Sequence, residues 1–292
     1  MILVTGATGL SGSAVVRECV RQGVPVRALT RDRGRARRLD GLPGVELVEG
    51  DMSRPDSLKA ALDGVHRVLM ISSARERMLE TQCTFIDAAG AAGVPYIVKY
   101  SGKEAGVGFD LEAFTGTREH AAIERHLEAS GMAWTQLRPS QFMQFYLPGT
   151  LTGVDPERRE LRMPIGETRL APVDVEDVAK VAVALLRSDG HQGRAYDISG
   201  PEALSMKEVA ERISEATGTA FHYVNLTLED KLRELESRGT PALAMRIVGE
   251  LLAERLRRPE THVWTETHQR FGLEPTTFLD FARRNARAFL GG

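Results

Sequence analysis

The stretch Ile2-Leu3-Val4-Thr5-Gly6-Ala7-Thr8-Gly9-Leu10-Ser11-Gly12 passes from an apolar strand pattern, through a turn, into a helical pattern. Its glycines at 6, 9 and 12 give GxxGxxG, a spacing variant of the fingerprint found where a first strand hands over to a helix in dinucleotide folds. Three physical demands select glycine there: a tight turn, a backbone able to approach a pyrophosphate, and a close helix–strand crossing. The helix end adds free N–H groups and the positive end of its dipole. Gly6, Thr8, Gly9, Leu10, Ser11 and Gly12 are therefore the candidate phosphate-binding residues. Three glycines alone carry little, and a purely structural turn is the alternative. Their placement between strand and helix carries the reading.

Working outward, β-rich runs at Ile2–Thr5, Val24–Thr30, Val45–Glu49, Arg67–Ser72, Tyr96–Ser101 and Trp134–Leu137 alternate with helical patterns. The helices are expected at Gly12–Gln22, Arg35–Leu39, Ser57–Leu62, Arg77–Gly90 and Arg118–Ala129. Such alternation, with several strands apolar throughout, predicts an α/β, Rossmann-like doubly wound parallel sheet covered on both faces. After Pro139 the pattern breaks. Ser140–Arg169 reads as loop with a short strand pair, a helix resumes at Val175–Leu186 and a strand at Ala195–Ser199. Ser205 and Glu208 have capping-box spacing at the head of a helix running to Thr217. The expected organisation is an NAD(P)-binding Rossmann domain over residues 1–140, rejoined by 170–200. A smaller, mostly helical substrate-binding cap comes from 141–169 and 201–292.

The end of the second strand bears on cofactor choice. An NAD site usually carries Asp or Glu about 20 residues past the fingerprint, on the ribose 2′-OH. Here Thr30 is followed by Arg31, whose guanidinium suits a 2′-phosphate. NADP(H) is thus the expected cofactor, with NAD(H) second because Asp32 is also in reach of a ribose. Arg33 and Arg35 add positive potential, while Arg37 and Arg38 read as a solvated face. Asp51 and Met52 end the third strand, and Ser72 and Ser73 the fourth, where an open parallel sheet lines its ligand crevice. Asp51 either accepts from the adenine amino group, with Met52 on the ring, or starts a turn.

Composition sets the remaining bounds. Lys plus Arg number 38 against 40 Asp plus Glu, so no global basic footprint calls for nucleic acid. No apolar run is long enough for a membrane span, and the strand pattern begins at Ile2. Cys19 and Cys83 sit in helical patterns without metal-ligand spacing. A cytoplasmic protein without nucleic-acid or membrane partners, and without a metal, is expected.

Several segments resemble the NmrA-like branch of the atypical short-chain dehydrogenase/reductases. They are the Thr5–Gly12 turn, Arg31, Glu49-Gly50-Asp51, Trp134-Thr135-Gln136-Leu137-Arg138-Pro139, Pro172 to Ala179 and Ser199 to Ser205. The resemblance spans nearly the whole chain. It implies an NADPH-dependent oxidoreductase acting on a quinone, an imine or iminium, a triphenylmethane dye or another conjugated acceptor. The family also includes regulators that bind the dinucleotide without turning it over, which is the alternative function. Self-association as a homodimer is common in the superfamily, and no segment here marks an interface.

Carbonyl-reducing relatives use a Tyr-x-x-x-Lys pair, and none of the five tyrosines here has lysine four residues on. By the resemblance, His120 falls where related reductases carry a catalytic lysine, and Ser101 resembles the serine that orients the reacting group. His120 is read as a partner of the nicotinamide ribose or a proton donor, with a solvent-facing helix histidine as the alternative. Ser101 is alternatively a cap. Tyr100 and Lys103 adjoin it without an assigned role. Gln141, Phe142, Phe145 and Tyr146 follow the sixth strand and suit a flat, partly apolar substrate, or else pack the core. Acceptors that delocalise charge, or are cationic already, need little acid assistance, so positioning carries the chemistry.

Overall fold

The computed structural model describes residues 1–73, 77–102, 114–257 and 261–292. In chain order the elements are β1 (Ile2–Val4), α1 (Leu10–Arg21), β2 (Val26–Thr30), β3 (Val45–Glu49), α2 (Lys59–Leu62), β4 (Arg67–Met70), α3 (Met78–Ala91), β5 (Tyr96–Tyr100), α4 (Thr115–Ala129) and β6 (Ala133–Pro139). Then come β7 (Glu160–Met163), α5 (Val175–Arg187), β8 (Arg194–Ile198), α6 (Met206–Thr217), β9 (His222–Asn225), α7 (Leu228–Ser237), α8 (Ala242–Arg257), α9 (Glu266–Arg270), α10 (Phe278–Arg284) and α11 (Ala286–Phe289). The chain divides into two compact units. The first holds Met1–Gly102, Glu119–Arg138 and Val175–Tyr196; the second holds Pro139–Asp174, Asp197–Gly292 and the described part of 103–118.

The first unit is built on a seven-stranded sheet of order β3-β2-β1-β4-β5-β6-β8, in which β3 through β6 pair in parallel. This order, with its reversal between β1 and β4, is that of the doubly wound dinucleotide fold. All five residues of β5 are buried, as expected of a central parallel strand covered on both faces. On one face Leu3, Val68, Met70 and Ile97 pack with Leu58, Phe85, Ile86, Ile123 and Leu127 of the 3-10 turn before α2, α3 and α4. On the other, α1 and α5 pack together against β1, β2, β4 and β5.

Two local expectations are corrected. Helix α1 starts at Leu10 rather than Gly12, because Gly9 takes the extended N-cap conformation and its carbonyl accepts from Ser13 N at 2.9 Å. Leu10, Ser11 and Gly12 thereby form the first helical turn, whose N–H groups have no intrahelical acceptor. The helix expected over Arg35–Leu39 is instead a 3-10 turn, Arg33–Ala36. Asp32 caps it by accepting from Gly34 N at 2.7 Å, and Gly34 and Gly41 are poor helix formers.

The second unit has its own apolar core, in which Tyr146, Leu161, Met163, Ile213, Phe221, Leu252, Phe278, Phe281 and Phe289 are buried together. Strands β7 and β9 form a two-stranded parallel sheet, Glu160 pairing with His222 and Met163 with Asn225. A strand in 140–169 is thus present, but its partner lies after α6, too distant for local turn signals to announce. The capping box at α6 is complete: Ser205 Oγ accepts from Glu208 N, and the Glu208 carboxylate accepts from Ser205 N at 2.8 Å. Among the described residues, no helix is long and apolar enough to cross a membrane.

Candidate functional site

The glycine turn is closed by its own backbone. Gly6 has φ of 57°, and Gly9 N donates to Gly6 O at 2.9 Å. A Cβ on Gly6 would lie 2.8 Å from Ile71 O, and one on Gly12 only 2.2 Å from Gly6 O. Thr5 ties the turn to the end of β4, its hydroxyl donating to Ile71 O at 2.7 Å and accepting from Ile71 N at 2.8 Å. Thr8, Gly9 and Leu10 are exposed around the head of α1, and Gly9 offers no side chain to cap it. The turn therefore has the shape and the unsatisfied donors that a pyrophosphate needs. Burial pushes the Tyr100 phenol well up, and the Ser11 hydroxyl draws it partly back.

At the ends of β2 and β3 the residues separate by role. Asp32 is engaged in capping, and its carbonyl also accepts from Thr30 Oγ1 at 2.8 Å. Arg33 is tied to β3 through Leu47 O at 3.2 Å. Arg31 is exposed, and among the described residues its guanidinium makes no hydrogen bond or ion pair. Asp51 forms a local turn, accepting from Ser53 N at 2.9 Å and Ser53 Oγ at 2.7 Å. Burial raises its carboxyl, but those bonds, with Arg31 and Arg54, hold it below the ordinary value. Met52 is buried in the core of the unit. Ser72 accepts from Gln82 Nε2 at 2.8 Å, and Ser73 is exposed at the end of β4. These positions share the carboxyl edge of the sheet with the glycine turn. A dinucleotide fits this edge on three counts: the cradle excludes side chains, the helix end lacks a cap, and Arg31 is exposed with no hydrogen bond or ion pair among the described residues.

Beyond β5 lies a polar cluster that the sequence reveals only in part. Lys99 has no exposed surface, and its ammonium donates to Ser101 Oγ at 3.1 Å and to His120 Nδ1 at 3.0 Å. One turn on from His120 in α4, Glu124 accepts from Arg138 Nε at 2.9 Å and Nη2 at 2.6 Å. Gln136 extends the chain, donating to Glu128 at 2.6 Å and accepting from Arg138. The structure thus brings His120 and Ser101 together, with Lys99 between them. Burial pulls Lys99 down to about 7, Glu124 pulls it back up, and Arg138 pushes it down again. Burial, and then Lys99, hold His120 well below the usual imidazole range. Burial raises the Glu124 carboxyl, but Arg138, Ser101 and Lys99 bring it below its ordinary value. The signal that could have identified Lys99 was a lysine inside the otherwise apolar run Tyr96-Ile97-Val98-Lys99-Tyr100. Lys103 lies outside the described residues.

In the second unit, Gln141 is buried and its side-chain oxygen accepts from Arg255. Phe142 is half-buried and Phe145 exposed, with ring centroids 5.5 Å apart. Tyr146 is fully buried and meets Phe278 edge-on at 5.2 Å. In this arrangement Tyr146 packs the core, while the two phenylalanines retain accessible faces. Among the described residues, no group of His, Cys, Asp and Glu is arranged to hold a metal ion.

A model of the NmrA-like family matches residues 1–280. The chain belongs to the NmrA-like family. The NAD(P)H azoreductase of Xenophilus azovorans is 35% identical over 291 residues, covering 99% of each chain. A (4-alkanoyl-5-oxo-2,5-dihydrofuran-3-yl)methyl phosphate reductase of Streptomyces griseus is 35% identical over 295 residues, covering 99% of each. Among solved structures, the NADPH-dependent quinone oxidoreductase of Escherichia coli, complexed with NADPH, superposes with a TM-score of 0.84 at 25% identity. That match covers 97% of this NmrA-like chain and 99% of the other.

Proposed function

We propose that this NmrA-like protein is an NADPH-dependent reductase that delivers hydride to a small conjugated acceptor, such as a quinone, an azo compound or an iminium. The observation that carries the reading is the glycine cradle beside an exposed arginine. Gly6 and Gly12 leave no room for a side chain, Asp32 is used up as a cap, and Arg31 is open. A 2′-phosphate is the ligand group that a free guanidinium at this edge fits best. Two relatives at 35% identity, each aligned over nearly its full length, bear the names of reductases of conjugated substrates.

In this reading Gly6, Thr8, Gly9, Leu10, Ser11 and Gly12 hold the pyrophosphate, and Arg31 the 2′-phosphate. Asp51 borders the adenine, Met52 supports that edge from the core, and Ser72 and Ser73 line the path toward the nicotinamide. The bound cofactor supplies hydride. His120 donates a hydrogen bond to the acceptor or the nicotinamide ribose, and Ser101 orients it. Without a Tyr/Lys pair, the proton that a neutral acceptor takes after hydride has to come from another group, and a cationic acceptor needs none. The compartment consistent with two free cysteines is the cytoplasm. The test is NADPH consumption with a panel of quinones, azo dyes and cyclic imines. Turnover with at least one class supports the assignment; cofactor binding without any turnover replaces it with a sensing role.

A further inference from the structure

A lysine without exposed surface in a parallel strand is costly, because an ammonium withdrawn from water needs partners. Among the described residues, Lys99 finds two: Ser101 Oγ and His120 Nδ1. While Lys99 is protonated it has donors and no acceptor, so Nδ1 accepts and the imidazole hydrogen resides on Nε2. Nε2 lies on the Gly102 side of the ring, 3.0 Å from where a Cβ of that glycine would be. Gly102 follows the carboxyl end of β5, the edge at which open parallel sheets bind ligands. A buried ammonium therefore stands behind the imidazole, and a donor N–H stands in front of it.

We propose that Lys99 and His120 form a proton relay, in which Lys99 resupplies the imidazole as His120 protonates an acceptor that has just taken hydride. The inference rests on the reductase reading. The acceptor gains hydride at one atom of its conjugated system and is left with negative charge on an oxygen or nitrogen. The Nε2 proton passes to that atom, and Nδ1 takes a proton from the Lys99 ammonium. The products are a protonated acceptor, a neutral imidazole with its hydrogen on Nδ1, and a neutral Lys99 amine. A proton from water restores the starting state between turnovers. Lys99 thus acts through His120 and touches no substrate.

The groups facing Lys99 set its proton affinity: His120 and Glu124 from α4, Arg138 from β6, Cys83 from α3, and Ser101 beyond its own strand. With Lys99 brought to about 7, the relay is loaded below neutral pH and empties above it. His120, held far below its ordinary value, works as a neutral donor and not as an imidazolium.

The relay discriminates between acceptors by their need for a proton. Quinones and azo compounds need one, whereas a cationic triphenylmethane dye or an iminium is neutralised by hydride alone. The test compares wild type with Lys99→Met on both classes, across pH. The expected result is a loss of about 100-fold in kcat for quinone and azo acceptors, with a much smaller loss for the cationic dye. The wild-type quinone rate falls as pH rises through about 7, and Lys99→Met flattens that limb. Nitrogen-15 NMR of the His120 ring gives a readout independent of turnover: the Nε2–H tautomer in wild type, and a mixture in Lys99→Met. Equal losses on both acceptor classes with an unchanged tautomer overturn the relay and leave Lys99 structural. Equal and undiminished rates overturn it too. A wild type that reduces neither class overturns the reductase reading itself.

Discussion

Gly12→Ala probes the cradle through sterics alone. Gly12 is not among the glycines with positive φ, so alanine meets no backbone strain there. The new Cβ, however, would sit 2.2 Å from Gly6 O, 2.7 Å from Gly6 C and 2.8 Å from Ala7 Cα. The first of these is more than roughly 1 Å inside ordinary contact, and all three neighbours are backbone atoms that cannot rotate away. Relief requires α1 and the Gly6–Gly9 turn to move apart. Overpacking of this kind costs about 3 kcal/mol, the upper end of the usual range. The same movement takes the N–H groups at the head of α1 off the pyrophosphate. Each 1.4 kcal/mol lost there weakens binding about tenfold, so NADPH affinity should fall by at least about tenfold. Gly9→Ala is the internal control: its Cβ would meet Gly6 O at 3.3 Å, which a shift of a few tenths of an ångström relieves. Its stability loss should stay under about 1 kcal/mol. Denaturant titration and NADPH fluorescence titration measure the two quantities. A Gly12→Ala protein as stable as wild type, binding NADPH equally well, refutes the cradle geometry.

Arg31→Ala should weaken NADPH about tenfold and NADH less than about twofold, since a charge-assisted contact to an exposed phosphate contributes about 1.5 kcal/mol. Equal losses for both cofactors contradict a 2′-phosphate role. For the α6 cap, the Ser205 backbone N–H, together with Arg169, holds the Glu208 carboxyl down to about 2. Its folded value lies below the unfolded one, so its stabilisation is complete above about 4.3 and is lost as pH falls toward 2. The stability gap between wild type and Glu208→Gln, about 1 kcal/mol near neutrality, should close over that window. A gap that is constant with pH contradicts the ionised cap.

Much of the first unit was legible because its signals are local. Apolar strands alternate with helices, and Gly6, Gly9 and Gly12 stand where a Cβ would come within 3.3 Å of backbone atoms. The fold and the order of elements follow from that, while the family came from the resemblance of longer segments such as Trp134 to Pro139 and Pro172 to Ala179. Element ends were less legible, because Gly9 and Asp32 act through caps that displace a boundary without altering the hydrophobic pattern. The β7–β9 pair depends on contact between segments far apart in sequence. In the site, His120 and Ser101 were visible only through resemblance. Lys99 and Glu124 were not seen, and Arg138 only as part of a family segment, because their meaning comes from burial and from one another. Tyr146 follows the same strand as Phe142, yet its ring turns into the core against Phe278, and no sequence pattern distinguishes the two.

The central claim is that the cofactor bound at the glycine turn is spent on an acceptor. Its most direct test is the stoichiometric disappearance of NADPH absorbance when the purified protein is mixed with a quinone, an azo dye or a cationic triphenylmethane dye. The expected result is saturable turnover, faster with NADPH than with NADH, on at least one of them. Tight NADPH binding with no oxidation in the presence of any of the three contradicts the claim.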